Sequence, residues 1–247
     1  MENLGSILCR SHRNSWLSLV PIQTITAKIG DHLMRHRMLL IALLASVQVG
    51  IAFAQSINFD KDKEGASPKG FFTALTGKGK PGTWVVVIDT TAISRPNVLA
   101  QTDMDKTDYR FPLCIFDDIT LKEVDLSVRF KAVKGKVDQA GGLVWRYKDK
   151  DNYYVLRANA LEDNLRIYHV AAGKRVEFGG ANVNVRSNVW HTLRIVNKGN
   201  KFEAYFDDKK LIEARDNTFA SAGKVGLWTK ADSYTLFDDL TILSTDK

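Results

Sequence analysis

The chain has 247 residues, 35 of them basic and 28 acidic, and a formal net charge of +7. This imbalance is mild and no dense run of Lys and Arg accompanies it, which argues against nucleic-acid binding. Residues 1–54 contain five of the basic and two of the acidic groups, so the remainder carries +4 and a single cysteine, Cys114. One cysteine excludes an intramolecular disulfide and a Cys-His zinc site in that part.

The first 54 residues carry an export signal. The apolar run MLLIALLASVQVGIAFA covers residues 38–54, follows Arg35-His36-Arg37 and ends on the small-x-small site Ala52-Phe53-Ala54. This pattern predicts a signal peptide over residues 34–54, cleaved between Ala54 and Gln55, and hence a secreted or periplasmic protein. The run is short and interrupted by polar residues and glycine, so no stable membrane insertion is expected after cleavage. Met34 fits as the true start, which leaves residues 1–33 as an upstream extension without a folded role.

Residues 55–247 have the length and pattern of one all-β domain. Short strands alternate with turn signals, and no long apolar stripe of helical period occurs. The strands are predicted at residues 56–60, 84–89, 97–101, 124–131, 140–147, 152–159, 164–171, 175–178, 190–197, 202–207, 210–214, 224–230 and 233–243. Residues 65–81 are rich in Gly, Lys and Pro and are predicted to form a loop. The expected fold is a two-sheet antiparallel jelly-roll sandwich, in which the first and last strands pair.

The hairpin at residues 140–168 supplies the candidate binding face. If Tyr147 pairs with Asn152 across the polar turn, Arg146 opposes Tyr153, and side chains then alternate between two faces. One face is apolar. The other carries the predicted substrate-binding residues Arg146, Tyr153, Arg157 and Asn159. The alternative is that these charges are merely solvated on an exposed sheet face.

Two sets of motifs resemble known families. The runs at residues 190–194, 202–207 and 223–228 resemble the closing half of concanavalin A-like (laminin G-like) lectin and glucanase sandwiches. Residues 138–164 and 223–240 are similar to secreted bacterial proteins of the 3-keto-disaccharide hydrolase-like and family 16 glycoside hydrolase-like group. The resemblance implies a carbohydrate ligand or substrate. The sequence departs from family 16 at Glu123-Val124-Asp125, where the second catalytic glutamate is missing.

The resemblance leaves two functions open: cleavage of glycosides or 3-keto-glycosides, and non-catalytic carbohydrate binding. Catalysis would need a general base, for which Asp151, Asp163 and Asp232 are candidates if their loops converge at one rim. Lys230 is a candidate substrate-binding residue beside them. The alternative is that the aspartates stabilise turns and that Lys230 forms a surface ion pair.

No cofactor is required by either function, but the resemblance implies a structural calcium site. Many sandwiches of this superfamily hold Ca²⁺ through a carboxylate of the last strand, where Asp238 and Asp239 stand. Oxygen ligands are of the type that Ca²⁺ prefers. The alternative is that one carboxylate caps the strand edge while the other is solvated.

Overall fold

A computed structural model describes residues 54–245, and every regular element in this range is a β-strand. Within this range no helix is long and apolar enough to cross a membrane. The predicted signal peptide and upstream extension lie outside the described residues except for Ala54. The strands are β1 (Ala54–Ile57), β2 (Phe71–Gly77), β3 (Trp84–Ile88), β4 (Asn97–Gln101), β5 (Arg110–Leu121), β6 (Val124–Lys134), β7 (Ala140–Asp149), β8 (Asn152–Asn159), β9 (Asn164–Ala171), β10 (Lys174–Asn182), β11 (His191–Lys198), β12 (Lys201–Phe206), β13 (Lys209–Arg215), β14 (Gly223–Trp228) and β15 (Tyr234–Ser244).

The strands form two antiparallel sheets, which confirms the predicted sandwich. The first sheet has the order β13-β12-β11-β6-β15-β4-β3, with β1 also pairing with β15. The second has the order β10-β9-β8-β7-β14-β5-β2. The pairing of β1 with β15 joins Ala54 to Leu243 and confirms the predicted contact between the first and last strands.

The core between the sheets follows from alternation along the strands. Val124, Leu126 and Val128 of β6 are buried, whereas the residues between them are half-buried, as a strand with one face on the core requires. From the second sheet, Trp145 stacks on Tyr154 with ring centroids 5.5 Å apart. Such aromatic pairs add to the free energy gained by burial alone.

The prediction of a loop over residues 65–81 is wrong in its second half. Strand β2 occupies Phe71–Gly77 and pairs with β5, where Phe71 lies opposite Phe116. The two phenylalanine rings are 5.1 Å apart. Tertiary packing of this short apolar run therefore overrides the surrounding glycines, lysines and proline.

The second sheet curls so that two diagonally opposite corners touch across its outer face. Tyr109, just before β5, donates its hydroxyl to Gly173 O at 3.0 Å in the turn between β9 and β10. Thr76, at the end of β2, donates to Lys150 O and lies 2.8 Å from the Tyr153 hydroxyl. The outer face is therefore concave, and its apolar side chains are buried in a second cluster: Phe111, Leu113, Ile115, Ala140, Val144, Tyr147, Tyr153, Val155, Tyr168, Val170 and Trp228.

Candidate functional site

The predicted register of the central hairpin is correct up to Trp145 and fails at the next residue. Trp145 pairs with Tyr154, as expected, but the ladder is interrupted between Trp145 and Asp149. Arg146 adopts φ 47°, a left-handed conformation that marks a bulge. The extra residue sends Tyr147 to the concave face, and Asn152 pairs with Asp149 instead of Tyr147.

The prediction that Arg146 shares a face with Tyr153 is therefore corrected. Arg146 is only 2% exposed, and its guanidinium points away from the concave face towards three backbone carbonyl groups. Nε donates to Lys122 O at 3.0 Å, Nη1 to Phe219 O at 2.5 Å and Nη2 to Gly199 O at 2.8 Å. Arg146 thus ties three separate loops to β7, which is a structural role.

We expect Arg146→Met to lower the free energy of unfolding by about 3 kcal/mol, because three carbonyl acceptors lose their charged donor. Urea denaturation measures this change. Arg215→Met on β13 is the matched control, since Arg215 is exposed and donates a hydrogen bond to Asn200 on the protein surface. A loss below about 1 kcal/mol for Arg146→Met would contradict the structural role.

Tyr153 and Asn159 do lie on the concave side, but neither is exposed. The Tyr153 ring is fully buried, and burial raises the pKa of its hydroxyl. Asn159 donates to Asp138 Oδ1 at 2.7 Å and accepts from Leu161 N at 2.9 Å. Both side chains therefore position neighbouring groups, and the open platform that alternation predicted is not present at these residues.

Five polar side chains converge at one end of the concave face, beside the turn that joins β8 to β9. We call Asp138, Arg157, Glu162, Asn164 and Lys230 the polar cluster. Arg157 Nη2 donates to Glu162 Oε2 at 2.8 Å and to Asn164 Oδ1 at 2.5 Å. Asn164 Nδ2 in turn donates to Glu162 Oε2 at 2.9 Å. Lys230 Nζ lies 2.8 Å from Asp138 Oδ2. The structure thus brings two of the predicted residues, Arg157 and Lys230, into one cluster.

The polar cluster reaches solvent through Glu162 and borders an aromatic ring. Lys230 also pairs with Asp108 at 2.8 Å, and the side chain of Asp108 is 74% exposed. The side chain of Glu162 is 44% exposed, whereas that of Arg157 is almost fully buried. Arg157 Cζ lies 5.6 Å from the centroid of the Tyr168 ring. Glu162 is therefore the member of the cluster most open to solvent, whereas Arg157, Asn164 and the neighbouring Tyr168 ring are buried.

The two carboxylates of the polar cluster differ in their pKa. Burial raises the pKa of Asp138 above its ordinary value, although Lys230 opposes the shift. Partial burial also raises the pKa of Glu162, but hydrogen bonds from Arg157 and Asn164 outweigh it and hold this pKa at about 2. Burial lowers the pKa of Lys230, but its hydrogen bonds to Asp108 and Asp138 outweigh this effect and raise it overall. Glu162 is therefore a permanent anion at neutral pH.

Asp163 and Asp232 flank the polar cluster, since their loops also carry Glu162, Asn164 and Lys230. Asp151 lies in the turn at the other end of β8, a strand of eight residues or about 25 Å, so the expected convergence of all three candidate bases is corrected for Asp151. Asp151 pairs with Lys150, and Asp163 Oδ1 accepts from Val185 N at 2.9 Å. Both contacts are those of turn-stabilising side chains, and a catalytic role for either stays a prediction.

Asp232 holds a loop that carries a member of the polar cluster. Its buried carboxylate accepts hydrogen bonds from the backbone N–H groups of Lys136, Val137 and Asp138 at 2.8–3.0 Å. Burial raises the pKa of Asp232, but these three donors lower it overall. The carboxylate is committed to its own loop, so Asp232 positions Asp138 and is not aimed at a ligand.

Asp238 and Asp239 lie at a bulge in β15, between the stretch that pairs with β4 and the stretch that pairs with β1. Asp239 has φ 50° and is half-buried, with Oδ2 3.5 Å from Arg129 Nε. Asp238 is fully buried, and neither of its oxygens has a hydrogen-bond partner among residues 54–245. Burial, followed by repulsion from Asp239, raises the pKa of Asp238 to about 8, and Asp60 adds to the repulsion.

The unpartnered Asp238 carboxylate fits the calcium ligand that the resemblance implies. A buried carboxylate without donors is costly, and a bound cation would satisfy it. Among residues 54–245, no three His, Cys, Asp or Glu side chains are grouped so as to hold a metal ion. A cation here would therefore need backbone carbonyl or water oxygens in addition to Asp238.

Sequence reasoning did not single out Asp138, Glu162 or Arg175 as site residues. The first two lie inside the 138–164 segment that carries the family resemblance, but their positions depend on loops. Arg175 is opposite Val170 of the concave face, so strand pairing places it on that face. A correct register for β9 and β10 would have indicated Arg175.

No protein-family model matches the sequence, and no curated protein is significantly similar to it. Solved structures with a related fold do exist. The carbohydrate binding module CBM66 from Bacillus subtilis has a TM-score of 0.53 and 21% identity, covering 70% of this chain and 94% of that one. Peanut lectin with a 9mer peptide has a TM-score of 0.53 and 9% identity, covering 78% and 97%. Domain 4 of AbnA, an extracellular arabinanase from Geobacillus stearothermophilus, in complex with arabinotriose has a TM-score of 0.51 and 12% identity, covering 76% and 90%.

The fold is a lectin-like β-sandwich. At these identities the likeness concerns the fold alone, and it confirms the concanavalin A-like class predicted from the motifs at residues 190–228. In this lectin-like sandwich the polar cluster lies at the β8–β9 end of the curled second sheet, and Asp238 lies in β15 of the first sheet.

Proposed function

We propose that this lectin-like sandwich binds a carbohydrate at the polar cluster. The carrying observation is the convergence of Arg157, Glu162 and Asn164 beside the Tyr168 ring, at an edge of the concave face that reaches solvent. The structural neighbours support it, since one is a carbohydrate binding module, one is a lectin and one holds arabinotriose.

The chemistry of the polar cluster matches that of a sugar. Hydroxyl groups both donate and accept hydrogen bonds, and the exposed Glu162 carboxylate is a strong acceptor. Arg157 and Asn164 hold this carboxylate in place through their hydrogen bonds to it. The Tyr168 ring, which is 7% exposed, lies beside Arg157.

We expect Glu162→Gln to weaken saccharide binding about tenfold or more, because a charged acceptor at the site is lost. A printed glycan array would identify the ligand for the full chain, and calorimetry would then give the affinities. Glu213→Gln is the matched control, since Glu213 is exposed on β13 and pairs with Lys210. If Glu162→Gln binds the saccharide as tightly as the wild type, the site lies elsewhere. If the wild type binds no glycan on the array, the proposal is rejected.

One observation favours a second function, cleavage of glycosides or 3-keto-glycosides by a member of the 3-keto-disaccharide hydrolase-like or family 16-like group. The pKa of Asp138 is raised and that of Glu162 is lowered. Catalytic acid and base pairs have pKa values shifted apart in this way. The test is incubation with glucosides and their 3-keto derivatives, followed by mass spectrometry. Released aglycone that disappears in Glu162→Gln supports catalysis, whereas unchanged substrates throughout reject it.

We further propose that Asp238 binds a structural Ca²⁺. The support is its buried carboxylate, which has no hydrogen-bond partner among residues 54–245. The ion would neutralise the repulsion among Asp238, Asp239 and Asp60 and so stabilise the β15 bulge. Export from the cytosol, proposed from residues 34–54, would expose the protein to the millimolar range in which extracellular calcium modules bind.

A further inference from the structure

The concave face contains an arginine that forms no salt bridge with any residue among 54–245. Arg175 projects from β10 onto this face, and within residues 54–245 its Nη1 is buried without a hydrogen-bond partner. The carboxylates whose charge reaches the neighbouring Tyr168 belong to Glu162 and Glu177. They pair with Arg157 and Arg166, respectively, and neither forms a salt bridge with Arg175.

Aromatic rings hold the Arg175 guanidinium in place. Its Cζ lies 4.5 Å from the centroid of Tyr168, 4.7 Å from that of Phe111 and 5.8 Å from that of Trp228. Ring faces attract a cation, but they do not complete its hydrogen bonds. A half-buried guanidinium in such surroundings is therefore prepared to receive an anion.

Arg175 is continuous with the polar cluster through a single ring. Arg157 Cζ and Arg175 Cζ both approach the Tyr168 ring, so the two guanidinium groups lie no more than about 10 Å apart. The neutral part of a saccharide and an acidic substituent could contact the two arginines together. Only Arg175 is free for the acid, because Arg157 already pairs with Glu162.

We propose that the ligand of the polar cluster is an acidic saccharide, whose carboxylate or sulfate group pairs with Arg175. This inference rests on the proposed carbohydrate-binding function and adds the chemical class of the ligand. The planar guanidinium fork matches the geometry of such oxyanions and binds them through two parallel hydrogen bonds. A neutral saccharide lacks the oxyanion that this fork binds, and polar sites reject ligands that lack a group in this way.

The test compares saccharides that differ only in charge, using the full chain. A glycan array with neutral, uronate-containing, sialylated and sulfated glycans is followed by calorimetry. In one calorimetric arm, the best carboxylated ligand is compared with its methyl ester. In the other, the best sulfated ligand is compared with its desulfated form. We expect at least a tenfold preference for the acidic member in one arm, and that arm identifies the anion.

Variants connect this preference to Arg175. Arg175→Gln should abolish the preference and reduce acidic-ligand affinity at least tenfold, while Arg215→Gln, an exposed arginine on β13, should change neither. Circular dichroism checks that each variant folds. If Arg175→Gln does not fold, Arg175→Lys is used instead, because lysine keeps the positive charge but lacks the planar guanidinium. Equal binding of acidic and neutral partners would overturn this inference and leave the proposed function standing. Absence of binding to every glycan would overturn both.

Discussion

Metal-free protein is expected to lose about 5 kcal/mol of unfolding free energy through Asp238 as the pH rises from about 4 to about 8. The pKa of this carboxyl is about 8 in the fold against 3.8 as the ordinary value. Between these values the folded state keeps a proton that the unfolded state releases, so each step upward in pH favours unfolding. The stabilisation is complete below about pH 4 and is lost through about pH 8.

Urea denaturation in the presence of a chelator, at a series of pH values, measures this effect. Other groups titrate in the same range, so the informative quantity is the difference between the wild type and Asp238→Asn, which is neutral at every pH. The free energy of unfolding should fall more steeply with rising pH for the wild type than for the variant. Parallel curves would show that Asp238 has the same pKa in both states, and would contradict the burial described for its side chain.

Calcium is expected to offset about half of this loss and to raise the melting temperature by about 5–10 °C at a concentration near 100 times its Kd. Such a concentration adds about 2.7 kcal/mol to the free energy of unfolding. The effect should be larger at pH 8 than at pH 5, because the ion and the proton compete for Asp238. Thermal melts with CaCl₂, MgCl₂ or chelator measure it.

The matched control for the calcium effect is Asp208→Asn, which removes the same charge from an exposed turn between β12 and β13. This variant should keep the full response to calcium, whereas Asp238→Asn should lose it. Equal melting temperatures in calcium and chelator for the wild type would dismiss the site. A response that survives Asp238→Asn would place the ion elsewhere.

Local pattern was enough to predict most of the sheet structure. The alternation of Val124, Leu126 and Val128 indicated a half-buried strand because burial on one face is a property of the strand itself. The strands predicted at residues 202–207 and 210–214 correspond to β12 and β13, and the two residues that join them, Asp207 and Asp208, have positive φ. These features depend on neighbours in the sequence, which a single chain displays.

The errors arose where a residue's environment comes from distant segments. The bulge at Arg146 is held by Phe219 O and Gly199 O, which are more than 50 residues away in the sequence. Alternation alone therefore assigned Arg146 to the wrong face. Likewise, Tyr153 was placed on the correct side, but its burial depends on the curl that brings Thr76 across the sheet.

The candidate site was only partly predictable for the same reason. Arg157 and Lys230 were identified as polar residues near one edge, yet their partners Glu162 and Asp138 lie in loops whose paths a strand pattern does not specify. Asp238 was identified by the family resemblance, while its isolation from hydrogen-bond donors is a property of the folded bulge. The sequence thus indicated which residue types belong to the site, but not which hydrogen-bond and ion-pair partners they have in the fold.

The position of the last strands has a consequence for when the protein can fold. β15 lies between β6 and β4 in the first sheet, and β14 lies between β7 and β5 in the second, so the centre of each sheet comes from residues 223–244. A ribosome-bound chain cannot complete either sheet until these residues have emerged, and such long-range pairing is slow in any case. The N-terminal segment, with the export signal predicted at residues 34–54, would therefore be available to a translocation machinery while the domain is still unfolded.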